Sequence, residues 1–175
     1  ISQYSEDNYP VKVMSQILGG GMSSRLFQEI REKRGLVYSI YSYNMSFLDD
    51  GHFGIYAGTD PKSLTELMPV LCDQLNSMRE SISDVELKRA KARLRASMLK
   101  GEESVLRRNN AQASFLLTHN EVLDIESRIK LLDAVTKEDV LRVARDIFSS
   151  NITLSGHGPL SHLERYDDLK ARLAA

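Results

Sequence analysis

Two tyrosine-rich runs separated by Asp-Asp-Gly constrain this chain more than any other feature. Residues 36–48, LVYSIYSYNMSFL, and 52–59, HFGIYAGT, are dense in aromatic and β-branched side chains, which suit a pleated, half-buried surface. Asp49, Asp50 and Gly51 between them are a turn signal. The pattern predicts one β-hairpin. Gly54 and Gly58 leave a strip of its second strand without side chains, so something is expected to pack close there.

Most of the remaining chain has helical spacing. Asp7 or Asn8 is placed to cap a first helix, with Pro10 in its opening turn and Val11, Met14, Ile17 and Leu18 along one face. Gly19, Gly20 and Gly21 stop it. Ser23 or Ser24 opens a second helix, with Leu26, Phe27 and Ile30 on one side, ending near Gly35. Asp60 and Pro61 begin a helix through Leu64, Leu67, Met68, Leu71 and Leu75. Ser83 and Glu86 have capping-box spacing ahead of a long helix that Gly101 breaks or bends. Further helices are predicted over about 103–118, 122–133 and 137–148, the last opened by Thr136 with Asp139. NITLSG at 151–156 reads as a final strand and HLERYDDLKARL at 162–173 as a closing helix. This order is not the steady βαβ alternation of a doubly wound sheet. It predicts an α+β fold of two layers, with a mostly antiparallel sheet and helices packed on one face.

The 175 residues suit one domain, 1–175, with its own core. A net charge of −1 gives the molecule no strong pull on nucleic acid or anionic membrane. The single cysteine, Cys72, excludes an internal disulfide framework and fits a reducing compartment. No apolar run approaches the roughly 18 residues of a membrane span. The chain opens at Ile1 with no Met, as a piece of a longer protein would.

The chemistry-bearing residues are sparse. His52, His119, His157 and His162 form neither of the helical two-histidine zinc motifs, so no metal site is expected. Cys72 falls within the apolar pattern Leu67–Leu71–Leu75 and reads as a small buried hydrophobe. GGGMSS lacks the Lys-Ser/Thr of a phosphate loop and the strand ahead of it; the plainer reading is a flexible helix–helix connection. Eight basic residues against two acidic ones lie between Lys88 and Arg108, but without stacking aromatics they read as a solvated helix face. One pair stands out. Arg31 on the second helix and Tyr38 at the start of the following strand lie seven residues apart across a glycine turn. A guanidinium fork and a phenol at one rim are able to hold and polarise a carbonyl oxygen. The plainer alternative is a surface ion pair for Arg31 and a half-buried ring for Tyr38.

The stretch LGGGMSSRLFQEIREKRGLVYSIYSYNMSFLDDGHFGIYAGTDP resembles the second domain of the insulinase-like zinc peptidases, the family of pitrilysin, insulin-degrading enzyme and the mitochondrial processing peptidase. The form is similar to its bacterial processing-peptidase branch, which implies a cytoplasmic protein. The match is specific over about residues 8–60, and TKEDVLRVARDIF followed by NITLSGHGPL resembles the same domain to its end. The resemblance implies a metal-free domain whose Arg31 and Tyr38 bind the substrate peptide around the scissile carbonyl. It implies zinc held in a separate N-terminal domain or partner subunit, and an opposing homologous half in a homo- or heterodimer. Gly19, Gly20 and Gly21 match a glycine-rich loop tied to substrate recognition, although here it is short. Two departures are that the zinc domain is absent, so the chain alone is not expected to hydrolyse peptides, and that the domain's first strand is missing ahead of Ile1. The alternative within the family is a non-catalytic assembly domain.

Overall fold

The hairpin forms where the turn signal predicts it. In the computed structural model, which describes residues 1–174, β1 (Ser39–Ser46) and β2 (Gly51–Gly58) pair antiparallel, with Tyr41 opposite Tyr56, Tyr43 opposite Gly54 and Met45 opposite His52. Directly opposed residues share a face, so these side chains stand together and Ile40, Ala57, Ser42, Ile55, Asn44 and Phe53 stand on the other side. The close packing expected at the strand glycines comes from within the hairpin. The Tyr43 ring covers Gly54, where an added Cβ would lie 2.4 Å from a ring carbon.

Helices cover only the Ile40 face, giving the predicted α+β architecture. α1 (Asn8–Gly19) lies across β1: the Ser15 and Ser42 hydroxyls meet at 3.0 Å, and Ser42 donates to the Ser15 carbonyl at 2.8 Å. Phe53 packs edge-on against Phe148 at the end of α6 (Lys137–Phe148), with ring centroids 5.7 Å apart. Val13, Met14 and Leu18 of α1 are fully buried among Leu26, Ile30, Met78, Val140 and Val143. α2 (Leu64–Glu80), α3 (Asp84–Glu102), α4 (Val105–His119), α5 (Ile125–Ala134) and α7 (Tyr166–Ala174) complete the described α-helices. Cys72 is 2% exposed in this core, and burial pushes its thiol up, away from the reactive thiolate.

Local signals set most helix starts. Ser83 with Glu86, and Thr136 with Asp139, form reciprocal capping boxes. The Asp60 carboxylate accepts from the Lys62 and Ser63 amides, and a 3-10 turn at Pro61–Ser63 leads into α2. Gly101 falls inside the last turn of α3, and Ser104 caps α4 two residues after its end. At α1 the expected acidic cap is not made. Asp7 has helical dihedrals and makes no cap bond; its carboxylate instead pairs with Arg142 of α6, whose Nη1 donates at 3.1 Å.

Residues 151–156 are not a strand. The apolar alternation of Ile152 and Leu154 suits one, but a strand needs a ladder, and the described sheet contains only β1 and β2. The Ile152 carbonyl accepts from the Tyr166 hydroxyl at 2.7 Å, and Ile152 rests on the core while its neighbours stay in solvent.

Candidate functional site

The glycine turn after α1 is packed rather than loose. A Cβ on Gly19 would stand 2.3 Å from the backbone nitrogen of Ser42, so only glycine lets α1 end this close to β1. The Gln16 amide folds over Gly20 and donates to its carbonyl at 2.6 Å. Gly21 has φ +139° and lies beneath the guanidinium of Arg93 from α3. The turn therefore fixes where the next segment begins.

That segment is a π-helix, Phe27–Glu32, entered through Arg25 and Leu26. The Lys33 amide bonds to the Gln28 carbonyl five residues back, at 3.0 Å, which is the wide π spacing. Leu26 and Ile30 are fully buried, and this sets Arg31 on the solvent side. Arg25 is the anchor. Its Nε meets Glu86 at 2.7 Å, and its two terminal nitrogens donate to the Ser77 hydroxyl and the Ser81 carbonyl. Glu86 is held from both sides. Burial would raise its carboxyl, but the Arg25 hydrogen bond and the amide and hydroxyl of Ser83 outweigh that and bring it down to about 2.

The π-helix closes over a wide turn. Gly35, at φ +63°, donates to the Arg31 carbonyl at 3.1 Å, and Leu36 donates to the Ile30 carbonyl at 3.0 Å. Leu36 and Val37 then dive into the core, and the Tyr38 amide donates to the Gly58 carbonyl at 2.7 Å. Tyr38 is thus fixed through its backbone at one end of the hairpin ladder, with its side chain 73% exposed. Arg31 is exposed too, its guanidinium over the Phe27 ring, 5.0 Å from the centroid.

The basic residues around Arg31 are all paired. Arg25 pairs with Glu86. Lys33 and Arg34 both engage Glu29, Lys33 most closely, and together they hold its carboxyl below the usual range. Arg34 also reaches Glu66 at 3.7 Å. Among the described residues Arg31 has no carboxylate within ion-pair distance. The surface ion pair and half-buried ring of the plainer alternative are therefore absent: Arg31 is unpaired and Tyr38 stands largely in water.

No group of three or more His, Cys, Asp or Glu among the described residues is placed to hold a metal ion, so the described residues do not fit zinc. His119 stacks on Phe115 with ring centroids 4.1 Å apart, and its Nδ1 lies 2.7 Å from the Thr118 hydroxyl. The basic run on α3 is largely solvated, with several members tied down: Arg89 donates to the Ser23 carbonyl, Lys91 to the Asp133 carbonyl, and Arg95 pairs with Asp133. No described helix is long and apolar enough to cross a membrane.

A family model described as the peptidase M16 inactive domain matches residues 2–94, more than half of the chain. The chain belongs to this family. An uncharacterized zinc protease from Streptomyces coelicolor is 38% identical over 161 residues, covering 91% of this chain and 35% of that protein. An uncharacterized zinc protease from Bacillus subtilis is 35% identical over 158 residues, covering 89% and 38%. The chain thus spans about a third of the length of these relatives. A crystal structure of a peptidase M16 inactive domain from Pseudomonas fluorescens superposes with a TM-score of 0.73 at 26% identity, over 83% of this chain and 35% of that one. A chain of complex III2 from Candida albicans shares the fold, with a TM-score of 0.87 at 23% identity over 98% of this chain and 44% of that one. The family assignment agrees with the insulinase-like resemblance of residues 8–60. In this inactive domain, sequence reasoning missed the π-helix and the Arg25–Glu86 anchor. Glu86 was legible as a helix cap, but nothing local ties it to a residue 61 positions earlier.

Proposed function

We propose that this inactive domain is the metal-free, substrate-binding half of a zinc metalloendopeptidase, in which Arg31 and Tyr38 hold the peptide at the carbonyl to be cleaved. The observation that carries this reading is the sorting of charge along residues 25–34. Arg25, Lys33 and Arg34 each have a carboxylate, and Arg31 alone is left with its donors open. The Phe27 ring supports the guanidinium without using any of those donors. The Tyr38 hydroxyl is likewise open, seven residues on and just after Leu36 and Val37 enter the core.

The chemistry follows from what a carbonyl becomes when it is attacked. Its oxygen gains negative charge, and donors already aimed at it bind the altered state more tightly than the starting peptide. Arginine stays charged throughout, and the phenol supplies a neutral donor. In this reading Gly19, Gly20 and Gly21 serve the substrate by fixing where the π-helix starts. Zinc comes from an N-terminal domain or a partner subunit, and an opposing homologous half closes the chamber. What supports zinc in the longer polypeptide is that two relatives carry the name uncharacterized zinc protease.

The test uses the longer polypeptide that carries the zinc domain. Arg31→Ala is expected to lower kcat/KM by about 10²–10³, the usual effect of removing one such donor, with zinc content unchanged. Unaltered kinetics at full zinc occupancy overturn the proposal.

A further inference from the structure

Among the described residues, nothing packs over one face of the hairpin. Its eight positions are Ser39 and Gly58, Tyr41 and Tyr56, Tyr43 and Gly54, Met45 and His52. Tyr41, Tyr56 and Met45 are each close to half exposed, although the Tyr41 and Tyr56 rings stack at 5.1 Å and Tyr43 meets His52 edge-on at 6.0 Å. None of the eight is a carboxylate, an amine or a guanidinium. The run from Leu36 to Thr59 carries charge only at Asp49 and Asp50, in the turn. In a chain with 27% charged residues, this is a neutral aromatic surface presented to solvent.

We infer that this face is a subsite for uncharged, aromatic or apolar side chains of an extended peptide, the same peptide whose carbonyl Arg31 and Tyr38 hold. The inference rests on that peptide-binding reading and adds a preference to it. Three observations select the occupant. The face starts at the end of the ladder where Tyr38 is fixed, since the Tyr38 amide bonds to the Gly58 carbonyl beside the Ser39–Gly58 pair. Stacked tyrosines offer broad, rigid contact at small entropic cost, but no partner for a buried charge. The open area is small. Three tyrosines and a methionine, between 38% and 48% exposed, present on the order of 400 Å², about half of what one partner contributes to a stable protein–protein interface. That is too little for a second copy of the chain and suits a few residues of a peptide. Gly54 and Gly58 keep the surface low beside the rings, since a side chain at either position would meet Tyr43 or Ser39.

The test measures binding, not turnover. Two fluorescein-labelled glycine–serine decapeptides, one with a central Phe-Phe and one with Lys-Lys, are titrated against the full-length polypeptide under chelation, which prevents cleavage. The Phe-Phe peptide is expected to bind at least about tenfold more tightly. Tyr41→Ser or Tyr56→Ser is expected to remove about five- to tenfold of that preference, the fold-change equivalent of one aromatic pair. Met45→Lys changes the same face without touching the core, and is expected to shift preference toward a Glu-Glu peptide. Arg31→Ala is expected to weaken all the peptides alike and leave the ratio intact. Equal affinity for the Phe-Phe and Lys-Lys peptides, or a preference that survives both Tyr41→Ser and Met45→Lys, overturns the inference. So does a sedimentation mass of a dimer that Met45→Lys abolishes, because the face would then belong to a second copy. An unaltered ratio preference alongside an Arg31→Ala variant that binds normally removes the gripping role and retains the aromatic subsite.

Discussion

Replacing Glu86 with glutamine tests how the π-helix that carries Arg31 is held to the rest of the molecule. The glutamine keeps the shape of the side chain and removes its charge. The carboxylate receives Nε and Nη2 of Arg25 at 2.7 and 3.1 Å, and the amide and hydroxyl of Ser83 at 2.9 and 2.8 Å. Its side chain is 19% exposed and that of Arg25 is 15% exposed, so solvent screens the pair only in part. A carboxyl lowered from 4.5 to about 2 corresponds to about 3 kcal/mol at 1.36 kcal/mol per unit, and partial screening brings this to about 2 kcal/mol. The group's folded-state pKa is depressed. Its contribution is therefore complete above pH 4.5 and disappears as pH falls toward 2. Urea unfolding followed by far-ultraviolet circular dichroism at pH 7 is expected to place Glu86→Gln about 2 kcal/mol below the unsubstituted chain, with the gap closing near pH 2. Equal stability at pH 7, or a gap that stays constant down to pH 2, refutes the reasoning.

Three further outcomes follow from single contacts. Gly19→Ala drives a methyl into the backbone of Ser42 and is expected to cost about 1–3 kcal/mol in the same urea assay, as overpacking does. Thr136→Ala removes the acceptor for the Asp139 amide at the head of α6 and is expected to cost about 1 kcal/mol, read as a lowered urea midpoint. Phe27→Ala takes away the ring beneath Arg31 and is expected to lower kcat/KM of the full-length polypeptide about two- to fivefold, the equivalent of an exposed cation–π contact, while zinc content holds.

Local chemistry was the part of the fold most legible in the sequence. The Asp-Asp-Gly turn, the capping pairs at Ser83 and Thr136 and the Asp60–Pro61 start all act within a few residues, and each stands where the sequence places it. The misreadings involve distant partners. Asp7 looks like a cap until Arg142, 135 residues away, takes its carboxylate. Residues 151–156 have a strand's alternation, but a ladder depends on a neighbour that the segment itself cannot specify. The glycine run was legible as a stop and not as a packed turn, because Ser42 and Arg93 approach it from other elements. At the site, the residue types and spacing of Arg31 and Tyr38 were readable. That Arg31 would be the one unpaired cation of its segment was not, since Glu86 and Glu66 reach in from elsewhere.

A double-mutant cycle in kcat/KM on the zinc-loaded, full-length polypeptide, comparing Arg31→Ala, Tyr38→Phe and the combined variant, bears most directly on the claim that both groups serve one carbonyl oxygen. If they share that oxygen, the losses are expected to be non-additive, with a coupling of at least about 1 kcal/mol. Fully additive losses, or a Tyr38→Phe variant with unaltered turnover, would contradict the account.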